Sequence, residues 1–85
     1  MSDELKKELS AVRGEIDAID AQLLELLNRR AGCAQTVGEI KAAHGEAGFI
    51  YRPEREAQVL RRIQELNHGP LPDESVTWFF REVMS

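Results

Sequence analysis

The sequence predicts an all-α fold with three helices per chain, one of them very long, and a second copy lying antiparallel along it. Three observations predict this. Apolar residues from Leu9 to Ile40 recur at alternating spacings of three and four, the seam of a helix packed lengthwise on another helix. Pro and Gly are sparse before position 45 and then punctuate the chain, so breaks fall late. The chain has 85 residues, a length at which a lone core is small and a staple or a partner is often needed. No staple is available. Cys33 is the single cysteine and His44 and His68 are isolated, so neither an intramolecular disulfide nor a zinc site can be assembled.

The first helix is predicted from about Asp3 to about His44. Its seam runs through Leu9, Val12, Ile16, Ile19, Leu23 and Leu26, and continues through Arg30, Cys33, Val37 and Ile40. Ser10, Asp17, Asp20 and Gln22 face elsewhere. Some forty residues make a rod of roughly 60 Å, longer than a domain of this size is wide. Two short helices cover only part of it, and an antiparallel second copy covers the rest. Gly45 to Arg52 reads as a loop, with Gly45 and Gly48 as breakers and Pro53 setting the first turn of the second helix. That helix runs to about Asn67 with a stripe of Glu56, Val59, Leu60, Ile63 and Leu66. Gly69, Pro70 and Pro72 make Asn67–Pro72 a turn. The third helix starts near Pro72 or Asp73 and carries Val76, Phe79, Phe80 and Val83 on one face, with Trp78 beside it. It meets no stop signal before Ser85, so the chain is expected to be one domain, 1–85, and a candidate fragment of something longer.

Composition excludes several function classes. The net charge of −4 argues against nucleic acid, whose phosphates call for a basic field. No apolar run approaches the ~20 residues that span a bilayer. A single thiol and a polar start after Met1 suggest the cytoplasm.

The chemistry is carried by charges set where a core belongs. Arg30 occupies a seam position, and a buried guanidinium without a partner costs several kcal/mol. Its neighbours one turn away, Leu26, Leu27, Cys33 and Ala34, offer no anion, so another segment or a ligand supplies one. Lys41 follows eleven residues later, which places it on nearly the same face, about 16 Å along the axis. Gly38 lies between them, where a missing side chain leaves room, at an intrinsic cost of about 1 kcal/mol relative to Ala. Glu56 is a carboxylate on the apolar stripe of the second helix. Arg13 lies seventeen residues before Arg30, roughly 25 Å away and turned by about 100°. It cannot share a small ligand with Arg30 of its own chain, but it can across an antiparallel dimer. Singly, each charge has a plain reading: an interchain salt bridge for Arg30, a snorkelling lysine for Lys41, an ordinary ion-paired carboxylate for Glu56. Arg29, Arg61 and Arg62 read as solvated, Cys33 as a small seam residue, and Phe49 and Tyr51 as loop anchors. The conjunction of Arg13, Arg30, Lys41 and Glu56 is harder to explain by separate accidents.

The stretches VRGEIDAIDAQLLELLNRR, VGEIK, YRPEREAQVL and FFREVMS resemble the all-helical chorismate mutases, in particular the N-terminal mutase domain of bacterial bifunctional chorismate mutase–prephenate dehydratases. The resemblance covers the chain from about Leu9 onward. It implies an intertwined homodimer with two equivalent sites, and conversion of chorismate to prephenate in phenylalanine and tyrosine biosynthesis. Each site would take Arg30, Lys41 and Glu56 from one chain and Arg13 from its partner. The two arginines would hold the substrate carboxylates. Lys41 would hydrogen-bond the ether oxygen of the breaking bond, and Glu56 would take the ring hydroxyl with help from backbone near Arg52. Arg55 would support the loop-to-helix corner. No metal and no cofactor is called for. Two departures stand out. Family members often carry Asp where this chain has Arg52, and the family's last site contacts, a small polar residue and a Gln or Glu, lie beyond Ser85. Two other functions fit the same pattern: a regulatory or docking module of a fused aromatic-pathway enzyme, and a plain helical dimerisation module.

Overall fold

The computed structural model describes residues 2–45 and 53–85. They form three helices, α1 (Asp3–Ala43), α2 (Pro53–Leu66) and α3 (Asp73–Met84), and no strand. The chain divides into two compact units, one containing α1 and the other containing α2 and α3. The element order and the length of α1 are those expected from the spacing of the apolar residues, and each boundary lies within about a residue of its punctuation.

α1 starts on a side-chain cap. The Leu5 N–H donates to Ser2 Oγ at 3.1 Å, satisfying one of the amides that a helix start leaves without a partner. Asp3 and Glu4 in the first turn and Lys41 in the last each complement the helix dipole. The helix then runs unbroken for 41 residues, although Gly14, Gly32 and Gly38 interrupt its propensity. It ends at His44 and at Gly45, whose φ of 85° is one that glycine adopts without strain. No residue of α1 is buried. The seam residues Val12, Ile16, Ile19, Leu23, Leu26, Val37 and Ile40 are each 48–56% exposed.

The second unit is an αα-hairpin. Leu60 of α2 and Thr77 of α3 are its buried residues, with Val59, Ile63, Val76, Phe80 and Val83 half-buried around them. Gln64 Nε2 donates to Thr77 Oγ1 at 3.0 Å, so the hairpin's most sequestered polar group is satisfied. Phe79 and Phe80 meet edge to face with centroids 5.4 Å apart, a favourable aromatic geometry. Asn67 organises the turn: its Nδ2 donates to Leu71 O (2.9 Å) and Asp73 Oδ1 (2.7 Å), and its Oδ1 accepts from the Gly69 N–H (3.3 Å). Gly69, at φ 79°, supplies the left-handed residue the turn needs.

Two residues of the expected apolar faces are exposed in the protomer. Leu66 closes the predicted stripe of α2 but is 53% exposed, because α2 ends there and the chain turns away at Asn67. On α3 the inward face is centred on Thr77 rather than on Phe79, which is exposed. The hydroxyl of Thr77 can enter because Gln64 donates to it, a pairing between helices that apolar spacing does not register.

Candidate active site

α1 fixes the geometry of three of the expected site residues. Because the helix is continuous from Asp3 to Ala43, Arg30 and Lys41 share a face about 16 Å apart along the axis. Arg13 lies about 25 Å from Arg30, turned by about 100°. Leu9, Arg30 and Lys41 are the half-buried residues of α1, and all its other residues are exposed. Two of the three are cations, in a helix whose aliphatic seam is half open to water. Between them, a Cβ placed on Gly38 meets no atom within 4 Å, so within the protomer the space beside this glycine is open. Thr36 Oγ1 donates back to Gly32 O at 3.1 Å, which draws its hydroxyl onto the helix and away from the Arg30–Lys41 face.

Glu56 is in the first turn of α2 and is half-buried. Arg55 beside it is exposed, and its Nη1 donates to Gln58 Oε1 at 2.7 Å, so its guanidinium is held along α2. The expected loop at 45–52 is described only at Gly45. Arg52, Phe49 and Tyr51 lie outside the described residues. Cys33 is exposed, as are Arg29, Arg61 and Arg62.

An open groove of about 340 Å³ follows the Arg13 face of α1, lined by Lys6, Leu9, Ser10, Arg13, Gly14 and Asp17. Its residues recur at three, four and seven. In the sequence Lys6 belongs to an ordinary polar start and Ser10 faces away from the seam; the available signal is that Lys6 precedes Arg13 by seven. The arrangement offers positive charge and hydrogen-bond donors to an anion at two separate stations on α1. No helix is long and apolar enough to cross a membrane among the described residues.

The chain is 56% identical over 85 residues to the bifunctional chorismate mutase/prephenate dehydratase of Neisseria gonorrhoeae, covering 100% of this chain and 22% of that protein. It is 36% identical over 63 residues to the intracellular chorismate mutase of Mycobacterium tuberculosis, covering 74% of this chain and 56% of that one. It therefore spans only about a fifth of the length of the bifunctional relatives it matches (22%). The structure of chorismate mutase (form II) from Thermus thermophilus superposes with a TM-score of 0.83 at 31% identity, covering 91% of this chain and 85% of that chain. The model of chorismate mutase type II matches residues 12–85, and the chain belongs to that family.

Proposed function

We propose that the chain is an isomerase that converts chorismate to prephenate in aromatic amino-acid biosynthesis, acting in the cytoplasm as an intertwined antiparallel homodimer without metal or cofactor. The observation that carries the reading is the pair of half-buried cations, Arg30 and Lys41, on one face of a helix whose other residues, Leu9 apart, are exposed. An exposed aliphatic seam running most of the length of α1 supports the dimer. Burying what remains of each seam side chain stabilises the assembly by roughly 1 kcal/mol per residue.

Each site takes Arg30, Lys41 and Glu56 from one protomer and Arg13 from the other. In the rearrangement the bond between ring carbon and ether oxygen breaks as the side-chain methylene carbon bonds to the ring, in one cyclic redistribution of electrons. No proton is removed and no covalent intermediate forms. The protein has two tasks. It must hold the folded conformer whose reacting carbons are close, and it must place positive charge where negative charge grows on the ether oxygen. Arg30 and Arg13 perform the first by gripping the two carboxylates, for which planar guanidinium is well shaped. Lys41 performs the second by donating from Nζ to the ether oxygen. Glu56 accepts from the ring hydroxyl and, with backbone near Arg52, fixes the ring. Arg55 supports the start of α2.

The test is chorismate consumption and prephenate formation followed by absorbance with the purified chain. Turnover far above the uncatalysed rate is expected. Chorismate disappearing only at the uncatalysed rate would overturn the proposal and leave a docking or dimerisation role.

A further inference from the structure

The groove along the Arg13 face carries more than Arg13. Leu9 is half-buried while the aliphatic seam residues after it are exposed, and it is flanked by Lys6 three residues before and Arg13 four residues after. Both aliphatic stems can lie over it while their charged ends stay in water. Lys6 and Arg13 are about 10 Å apart along the axis and within about 20° around it. Both residues line the same groove, Arg13 leaning over Ser10 toward the N-terminus and Lys6 standing at the groove's N-terminal end. Beyond Arg13 the groove is open at Gly14, where an added Cβ meets nothing within 4 Å, and it is bounded by Asp17.

The charges decide what this groove accepts. Asp17, one turn beyond Arg13, offsets the charge of that guanidinium. The lining residues sum to a net positive groove only because Lys6 is present. Among the described residues, neither Lys6 nor Arg13 is tied to a carboxylate; the ion pair found there is Arg62–Glu65 on α2, at 3.8 Å.

We propose that Lys6, with the Ser10 hydroxyl as a further donor, completes the carboxylate-binding subsite that Arg13 presents to the partner protomer's site, and so sets affinity for the dianionic substrate. The inference rests on the two-protomer site proposed above. Lys6 is a binding residue here and has no part in the bond-breaking step.

Steady-state kinetics on the full chain test it. Lys6→Ala and Lys6→Gln are expected to raise KM about three- to fivefold, the range of an exposed charge pair, and Lys6→Glu to raise it about tenfold or more. In all three kcat stays within twofold of the parent. Lys6→Arg restores KM, and the differences shrink in about 0.5 M salt, where such pairs are screened. Lys7→Glu makes the same change in net charge on an adjacent face and moves KM by less than twofold. A KM for Lys6→Glu within twofold of the parent, or no larger than that of Lys7→Glu, overturns the assignment of Lys6. Unchanged kcat/KM in Arg13→Ala overturns the underlying two-protomer site instead, so the two failures are separable.

Discussion

If each site is built from two protomers, two inactive variants should restore one another. The variants are Arg13→Ala and Arg30→Ala. Along the unbroken α1 these residues are about 25 Å apart and point about 100° away from each other, so one chain cannot bring both onto one small substrate. Each substitution removes a guanidinium that holds a carboxylate, a loss of about 3 kcal/mol or roughly a hundredfold in kcat/KM. When the two variants are unfolded together and refolded at equal concentration, half of the dimers should be mixed. In a mixed dimer one site takes intact Arg30 from one protomer and intact Arg13 from the other, while the second site lacks both. Half the dimers with one of two sites intact gives about one quarter of parental activity, far above either variant alone. The assay is chorismate consumption before and after co-refolding, with each variant refolded separately as the control. Activity in the mixture no greater than the mean of the two separate samples would show that the arginines do not meet across protomers.

Three other outcomes are expected. Lys41→Ala should lower kcat by about a hundredfold or more with a smaller change in KM, since a charge placed for the transition state contributes little to ground-state binding; parental turnover would remove Lys41 from the chemistry. Ile16→Asp combined with Leu23→Asp should dissociate the proposed dimer at micromolar concentration by sedimentation equilibrium, because each copy forfeits apolar burial and must desolvate carboxylates in the seam, several kcal/mol in total; a parent that is dimeric and a variant that stays so would place the interface elsewhere. Asn67→Ala should cost about 1–2 kcal/mol by removing the three hydrogen bonds that organise the α2–α3 turn, read as a melting temperature lower by roughly 5 °C or more, with kcat unchanged below the transition.

The order and extent of the helices were legible because they depend on local rules. Alternating spacings of three and four specify a helix face, and Gly45, Pro53, Gly69 and Pro72 mark the ends. The half-burial of Arg30 is legible for a related reason: a cation in a seam position breaks the local pattern, a break is visible in one dimension, and Lys41 follows on nearly the same face. Thr77 was not legible. Its burial depends on Gln64 from another helix donating to it, and no periodicity encodes a hydrogen bond between residues thirteen apart. Phe79 and Phe80 are alike in size and apolarity, and only the rotation of α3 leaves the first exposed and the second half-buried in the protomer. The Lys6 groove was missed for the opposite reason. Lysine near a helix start is ordinary, and only the structure shows that Lys6 and Arg13 line one groove with a half-buried Leu9 between them.

The proposed chemistry would account for why so much of the longest helix is left exposed in one protomer. A pericyclic rearrangement asks for no nucleophile and no proton relay, so no buried catalytic constellation has to be assembled inside one protomer. It asks for fixed charge in a place from which water is excluded. In the protomer the Arg30–Lys41 face is only half-buried, so its charges are weakened by solvent. Closing the seam against a second copy would exclude water and bring a complementary cation in the same step. Assembly and activation of the site would then be one event, and mutations at the aliphatic seam positions should reduce kcat/KM in proportion to the dimer they dissolve, even though those side chains have no part in the proposed chemistry.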